Sequence, residues 1–288
     1  MAGYRFFGDV SAELRSGELG VCFLVSAMNR ERLANRIRRR VGRAIGDFGL
    51  IENGDRIAVA VSGGKDSYTL LHALEALRRK APIAYELIAV NIDPGFPGYR
   101  QDLLREHLDR HGFTYHLEKA DFQTIIDEKL RPGSSYCAFC ARLRRGVLYT
   151  LADRLGCNKI ALGHHLDDAI ETLLLNQFYV GRLAAMSPRL LADSGRHQVI
   201  RPLVYVEEKD IIDWSDLCGY PIVCCSCPVC GQADQQRQAM KRLVATLSRD
   251  IPGIRQSLLR AMGNVQPRHL LDAELMAGNV GDCREAGQ

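Results

Sequence analysis

The sequence lacks any apolar run long enough to cross a membrane, a length of about eighteen residues or more. The most apolar stretch near its start, residues 19–28, is short, and acidic residues precede it instead of the basic region that opens a signal peptide. Internal repeats and low-complexity segments are also missing, and 47% hydrophobic residues exclude wholesale disorder. We therefore expect a cytoplasmic protein with no membrane anchor and no signal peptide.

The net charge is small, only +4, and by itself implies no partner. Its distribution is uneven, because residues 28–44 hold seven arginines and one glutamate, and residues 235–269 also carry a net charge of +6. Two basic segments flanking a more acidic body suit a polyanion such as nucleic acid. Solvated helix faces would give the same pattern, so charge alone leaves both interpretations open.

Short apolar segments and helical segments alternate from residue 56 onward. Strands are predicted at 56–61, 85–91, 113–117 and 159–162, and helices at 68–78, 99–110, 141–155 and 169–179. This order is typical of an α/β fold with a doubly wound, mostly parallel sheet. The predicted domains are an extension at 1–27, a basic helix at 28–50, the α/β domain at 51–205, a cysteine loop with basic helices at 206–270, and a loose tail at 271–288.

The first motif, SGGKDS, lies between the first predicted strand and the first predicted helix of the sheet. Its members are Ser62, Gly63, Gly64, Lys65, Asp66 and Ser67. Glycines allow a ligand to approach the backbone, the helix N-terminus favours an anion, and the lysine adds a positive charge. The motif is not a Walker A loop, because an aspartate follows the lysine. It resembles the pyrophosphatase loop of the N-type ATP pyrophosphatases, which cleave ATP to AMP and pyrophosphate.

A second motif, GHHLDD, follows the predicted strand at 159–162. Gly163 and His164 are predicted to contact ATP, and Asp168 is predicted, with Lys65 and Asp66, to be catalytic. Carboxylates at this place suit Mg²⁺. An aspartate at a helix start can also be a simple cap.

The third feature is the clustering of cysteines in a chain that has ten. Cys137 and Cys140 form one Cys-x-x-Cys pair, and Cys227 and Cys230 form another, preceded by Cys224 and Cys225. In a reducing compartment such pairs indicate a metal centre rather than disulfides. The spacing fits zinc and an iron–sulfur cluster equally well. The isolated residues Cys22, Cys157, Cys218 and Cys283 are read as ordinary small apolar residues.

Taken together, the motifs resemble those of the tRNA 2-thiocytidine synthetases (TtcA) of the PP-loop superfamily. The matching strings, in order over residues 29–270, are IENGDRIAVAVSGGKDSYTLL, YCAFCARLRRG, KIALGHHLDD, LLLNQFYVGRL, VIRPLVYVEEKDI and CPVCG. The resemblance implies ATP-dependent conversion of cytidine 32 of the tRNA anticodon loop to 2-thiocytidine. It also implies a homodimer, a cysteine desulfurase as sulfur donor, and a [4Fe–4S] cluster with three cysteine ligands at Cys137, Cys140 and Cys227, with Cys230 as an alternative.

This resemblance gives the basic segments a role. We expect residues 29–44 to form a tRNA-docking helix rather than part of the core, and Arg142, Arg144 and Arg145 to face phosphates. Two departures from the family pattern are the extra residues 1–27, expected to be dispensable, and the additional cysteines at 224 and 225.

Three other functions remain as alternatives. The first two are tRNA 2-thiouridine synthesis and lysidine synthesis by related PP-loop enzymes. The 2-thiouridine enzymes carry paired cysteines near their N-terminus, whereas only Cys22 precedes residue 137 here, and lysidine synthesis needs no cysteine cluster. A zinc protein that binds RNA without catalysis would have no use for SGGKDS.

Overall fold

The computed structural model describes residues 11–131, 133–192, 195–229 and 235–271, with side chains from residue 28 onward apart from that of Arg268. It divides into two compact units. The first holds residues up to His165 together with residues 187–232, and the second holds residues 166–186 and the chain from residue 233 onward. No described helix is both long and apolar enough to cross a membrane.

The first unit is built on a six-stranded sheet. Its strands are β1 (Arg56–Ala60), β2 (Glu86–Asp93), β3 (Tyr115–Lys119), β4 (Lys159–Ala161), β5 (Arg189–Leu191) and β6 (Gln198–Ile200). They lie in the order β3-β2-β1-β4-β6-β5, and all neighbours are parallel except the antiparallel edge pair β5 and β6. The predicted mostly parallel sheet is therefore confirmed.

Six helices accompany the sheet in this unit. They are α1 (Ser11–Phe48), α2 (Lys65–Arg78), α3 (Gln101–His111), α4 (Phe122–Lys129), α5 (Tyr136–Arg154) and α7 (Glu208–Cys218). Alternate residues of β1 point to opposite faces, so that Ile57 and Val59 join one apolar core and Ala58 joins another. Because α2 contributes to the first core and α5 to the second, helices cover both faces of the sheet, as in a doubly wound fold.

Helix α1 belongs to the first core, contrary to the prediction that residues 29–44 stand apart from it. Leu33, Ile37 and Val41 are each at most 6% exposed within that core. The apolar face of α1 is narrow, but it is buried in the core, because a helix that packs on a sheet needs only one apolar face.

Part of the basic face of α1 is also neutralised. Arg36 Nη2 lies 2.7 Å from Asp210 Oδ1, and Arg40 reaches both Asp210 (2.7 Å) and Glu207 (3.0 Å) near the start of α7. Arg32 and Arg39 are exposed and keep their charge toward solvent.

Helix α5 begins before the Cys-x-x-Cys pair, which the sequence prediction had put in a loop. Ser135 caps the helix by accepting a hydrogen bond from the Ala138 amide (3.3 Å), so the first turn starts at Tyr136. Cys137 and Cys140 therefore stand one turn apart on a helix rather than on a flexible turn.

The described residues of the second unit form three α-helices, a π-helical turn and a short 3₁₀ helix (Pro267–His269). Helix α6 (Leu166–Leu175) continues as a π-helical turn (Asn176–Val180), and α8 (Gln235–Asp250) and α9 (Ile254–Met262) follow later in the chain. Leu166, Ile170 and Leu174 of α6 pack with Met240 and Val244 of α8. The two basic helices predicted after the cysteine loop are thus confirmed.

Candidate active site

The phosphate loop follows β1 and leads directly into α2. Gly63 has a φ of +86°, and a Cβ placed there would lie 2.7 Å from the Cβ of Val223, so only glycine fits without displacement. Gly64 occupies the position before α2, so no side chain caps the first N–H groups of this helix. The helix start therefore presents backbone N–H groups and its positive dipole end, as a phosphate site requires.

Lys65 stands at this helix start between two carboxylates. Its Nζ lies 3.0 Å from Asp66 Oδ1 and 3.3 Å from Glu208 Oε1. Burial alone would lower the pKa of Lys65, but Asp66 and Glu208 raise it on balance, so the ammonium is charged at neutral pH. Glu208 had not been predicted from the sequence, because it lies more than 140 residues away.

The end of β4 approaches the phosphate loop closely. A Cβ at Gly163 would lie 3.2 Å from both the Asp66 carbonyl carbon and the Ser67 nitrogen, so a larger residue would push the two segments apart. His165 Nε2 lies 3.6 Å from Asp66 Oδ1. The first unit thus brings together the loop and the start of GHHLDD, as the sequence predicts for neighbouring parallel strands.

His164 has a positioning partner that the sequence did not reveal. Arg201 Nε donates to His164 Nδ1 over 3.3 Å, which leaves the proton of a neutral ring on Nε2. Arg201 Nη1 also donates to the Ser187 carbonyl (2.5 Å), and burial lowers its pKa from the ordinary arginine value. Arg201 thereby fixes the tautomer and the orientation of the His164 ring.

Asp167 and Asp168 belong to the second unit, at the first turn of α6. Asp168 Oδ1 lies 3.2 Å from Arg237 Nη1, and Asp167 Oδ1 lies 2.8 Å from Arg255 Nε. These ion pairs stabilise that unit and also neutralise two arginines of the basic helices. A catalytic role of Asp168 remains a prediction.

Four cysteines come together in the first unit, two from α5 and two from the loop after α7. This four-thiol group consists of Cys137, Cys140, Cys225 and Cys227. The sulfurs of Cys225 and Cys227 are 3.5 Å apart, and Cys137 and Cys225 both act electrostatically on Cys140 and on Cys227. Cys224 is exposed, while Cys230 lies outside the described residues.

The surroundings of the four-thiol group suit a charged centre. Burial raises the pKa of the Cys140 thiol, and the nearby Arg144 guanidinium opposes this rise. Arg144 Nε is buried and has no hydrogen-bond acceptor among the described residues, so an anionic atom at this place would satisfy it. Ser226, between Cys225 and Cys227, has a φ of +54°, an uncommon strain for a residue with a side chain. Of the arginines predicted to face phosphates, Arg144 lies at the thiols, whereas the neighbouring Arg142 and Arg145 are exposed.

Comparison with known proteins adds three findings. A model of the PP-loop domain matches residues 33–220. The tRNA-cytidine(32) 2-sulfurtransferase of Syntrophotalea carbinolica is 67% identical over 85% of this chain and 95% of its own length, and that of Geobacter sulfurreducens is 65% identical over 83% and 93%. Among solved structures, the U34-tRNA thiolase NcsA from Methanococcus maripaludis with its [4Fe-4S] cluster matches 82% of each chain with a TM-score of 0.67 and 23% identity, which shows a shared fold.

Proposed function

Because the chain belongs to the PP-loop family of tRNA-cytidine(32) 2-sulfurtransferases, we propose that it converts cytidine 32 of tRNA to 2-thiocytidine with consumption of ATP. The observation that carries the proposal is one hydrogen bond. The Val223 amide donates to the Gly63 carbonyl over 3.0 Å, which joins the phosphate loop to the segment that bears Cys225 and Cys227. A nucleotide site and a sulfur-rich site in such proximity are what ATP-dependent thiolation needs.

The reaction has two steps in which atoms and charge balance. The C2 oxygen of cytosine attacks the α-phosphorus of ATP, the bond from the α-phosphorus to the bridging oxygen breaks, and pyrophosphate leaves. A sulfide-level sulfur then attacks C2, the C2–O bond breaks, and AMP departs with the original oxygen. Charged Lys65 and the amides at the start of α2 stabilise the charge that develops on the phosphates.

The nucleotide contacts are assigned to SGGKDS together with Gly163 and His164. His164, whose ring Arg201 holds in place, is proposed as one of these contacts. Mg²⁺ would be held with the phosphates by the Asp66 carboxylate, an oxygen donor of the kind it prefers, and would supply additional positive charge. Asp168 is proposed as a further contact of the bound substrates.

The four-thiol group fits an iron–sulfur centre, because it gathers three half-buried thiols and the exposed Cys137 thiol near Arg144, whose Nε has no acceptor among the described residues. An anionic sulfur would satisfy that Nε. We assign the cluster ligands to Cys137, Cys140 and Cys227. A [4Fe–4S] cluster held by these three cysteines would supply the chemistry of sulfur delivery. Cys225 competes with Cys227 by position, because their sulfurs are 3.5 Å apart.

The wider setting follows from the substrate. We propose that a cysteine desulfurase donates the sulfur with cellular thiols as reductant, that the protein acts in the cytoplasm where tRNA and ATP are available, and that it works as a homodimer.

Anaerobic reconstitution tests the reaction directly. Full-length protein, ATP, Mg²⁺, sulfide and an unmodified tRNA transcript should yield 2-thiocytidine on nucleoside mass spectrometry, with equimolar AMP and pyrophosphate. A transcript carrying uridine at position 32 is the matched control and should not react. Thiolation of that control, or ADP and phosphate as products, would contradict the proposal.

The ligand assignment needs its own series of variants. Cys137→Ala, Cys140→Ala and Cys227→Ala should each lose iron and visible absorption after anaerobic reconstitution, while Cys224→Ala and Cys225→Ala should retain both. Cys157→Ala, at a buried cysteine outside the group, controls for loss of a thiol alone. An intact cluster in Cys227→Ala, or stoichiometric zinc in anaerobically purified protein, would overturn the assignment.

A further inference from the structure

Three histidines converge in the first unit, apart from the phosphate loop and the four-thiol group. His72 comes from α2, and His107 and His111 come from α3. One ring nitrogen of each lies within 4.8 Å of the others, and among the described residues no other group of three or more potential ligands has this geometry. Since they follow from neither the motifs nor the proposed reaction, they require a separate explanation.

The backbone places the three rings on facing surfaces of two helices. His107 and His111 are four residues apart and therefore lie on one face of α3. His72 Nε2 is 2.9 Å from His107 Nε2. In a tetrahedral zinc site with zinc–nitrogen bonds of about 2.0–2.1 Å, two ligand nitrogens are about 3.4 Å apart. A separation of about half an ångström more, within the reach of a small side-chain rotation, would admit an ion.

The orientation of His111 is set by its own helix. Its Nδ1 lies 2.8 Å from the His107 carbonyl oxygen, so Nδ1 carries the proton and donates, and Nε2 keeps its lone pair. Metal-binding histidines in general donate their second ring nitrogen in this way, because the bond fixes both tautomer and orientation.

The shell around the rings is aromatic on the inside and open on the outside. His72 stacks on Tyr220 with 5.3 Å between ring centroids, Tyr68 meets His107 at 4.7 Å, and Phe113 meets His72 at 5.1 Å. His111 is exposed, which gives an ion a path from solvent. An apolar shell of this kind limits water around a bound metal.

We propose that His72, His107 and His111 bind one divalent transition-metal ion of the zinc type and that the ion joins α2 to α3. Three imidazoles suit zinc, nickel or copper rather than magnesium or calcium, and water would complete a tetrahedral zinc site. The competing explanation is a packed group of rings with one hydrogen bond between His72 and His107. In that explanation His111 only packs on the other two rings, with centroids 4.9 Å from His72 and 4.3 Å from His107, so a metal bound through His111 separates the two.

Cobalt binding to the full-length protein tests the proposal. Co²⁺ held by imidazoles absorbs in the visible without the strong near-ultraviolet bands of thiolate ligands, so the spectrum distinguishes this site from the cysteines. Wild-type protein should bind one Co²⁺ of imidazole type, displaced by Zn²⁺. Zn²⁺ should also raise the melting temperature, since a ligand that binds only the folded state stabilises it.

Variants assign the site. His111→Gln, at an exposed position, should fold normally and weaken this cobalt site by at least about tenfold, because even loss of an outer-shell partner costs that much. His72→Gln should act alike. His116→Gln in β3 is the matched control and should bind as wild type, as should Cys137→Ala. Absence of imidazole-type cobalt in wild type, or undiminished binding in His111→Gln, would overturn the proposal and leave the rings as packing.

Discussion

Gly63→Ala would place a methyl group where the phosphate loop meets the segment that precedes the late cysteines. The new Cβ would lie 2.7 Å from Val223 Cβ, closer than real Cβ contacts allow, and 3.2 Å from its Cγ2, which is also a tight contact. The backbone at Gly63 also has a φ of +86°, which disfavours any residue with a side chain. Two independent penalties therefore act at one position.

Their sum sets the expected magnitude. Left-handed backbone costs an L-residue about 1–2 kcal/mol, and overpacking costs about 1–3 kcal/mol. The free energy of unfolding should consequently fall by about 2–5 kcal/mol in Gly63→Ala. Gly64→Ala is the matched control, because Gly64 has a φ of −86° and the nearest atom to its new Cβ, Ser62 Oγ, is 3.5 Å away. Its free energy of unfolding should change by less than about 1 kcal/mol.

Urea denaturation measures the difference. The chain has a single tryptophan, Trp214 in α7, whose fluorescence reports on the same unit that holds Gly63 and Val223. Introducing Val223→Gly removes the clashing Cβ but not the backbone strain. In the Val223→Gly background, Gly63→Ala should lower the free energy of unfolding by about 1–3 kcal/mol less, because the steric clash is gone. Equal stability of the two alanine variants, or an unchanged cost beside Val223→Gly, would refute the reasoning.

Two further predictions concern charged groups of the first unit. The double variant Arg32→Gln/Arg39→Gln, at exposed positions of α1, should bind tRNA more weakly and with a flatter salt dependence, because fewer counterions are released. Arg40→Gln should instead mainly lower the stability of the protein. Filter binding at several salt concentrations measures the salt dependence, and equal slopes for wild type and the double variant would contradict the prediction. Lys159→Met removes the ammonium that lies 2.8 Å from the buried Asp55 carboxylate. The free energy of unfolding, measured by urea denaturation, should therefore fall by about 3–5 kcal/mol, and a fall of less than about 1 kcal/mol would contradict the prediction.

The destabilisation by Lys159→Met should depend on pH, because Asp55 titrates. Burial alone would raise the pKa of Asp55, but hydrogen bonds from Lys159, the Glu52 amide and Asn158 lower it on balance. A carboxyl group whose pKa is lowered by folding stabilises the protein above its ordinary pKa and loses this effect as the pH falls through the folded value. The cost of Lys159→Met should therefore be full at neutral pH and decline below about pH 4.

Much of the fold could be predicted because most of its strands and helices have a clear pattern of apolar residues. The strands β1 to β4 and the helices α2, α3 and α6 were placed within a few residues, since buried parallel strands are continuous apolar runs. The edge strand β5 and its neighbour β6 were missed. Each has only three residues, and β5 is exposed along its whole length, so neither carries a recognisable pattern. Helix α4 was missed as well, for its two buried side chains form too short a stripe.

The candidate site was predictable only as far as its motifs extend. SGGKDS and the first Cys-x-x-Cys are short contiguous motifs, and their residue types alone indicate phosphate binding and metal binding. Glu208, Arg201 and Val223 reach the site from distant parts of the chain, and their side chains have no chemical signature of that role. Cys225 is absent from the ligand set that the family resemblance implies. Residues two apart in an extended segment share one side, however, and the structure places the Cys225 sulfur 3.5 Å from that of Cys227.

The connection between the two halves of the site has a mechanical consequence. The Tyr68 hydroxyl in α2 donates to the Pro221 carbonyl over 3.1 Å, and the Val223 amide donates to Gly63, so two successive anchors precede Cys225. Thiolation requires phosphorus and sulfur to reach the same group of the base in turn, and an error of one ångström in such positioning is costly. Since α2 begins at the phosphate loop, one helix sets the position of both. Strain at Ser226 can persist because these anchors fix the chain immediately before it.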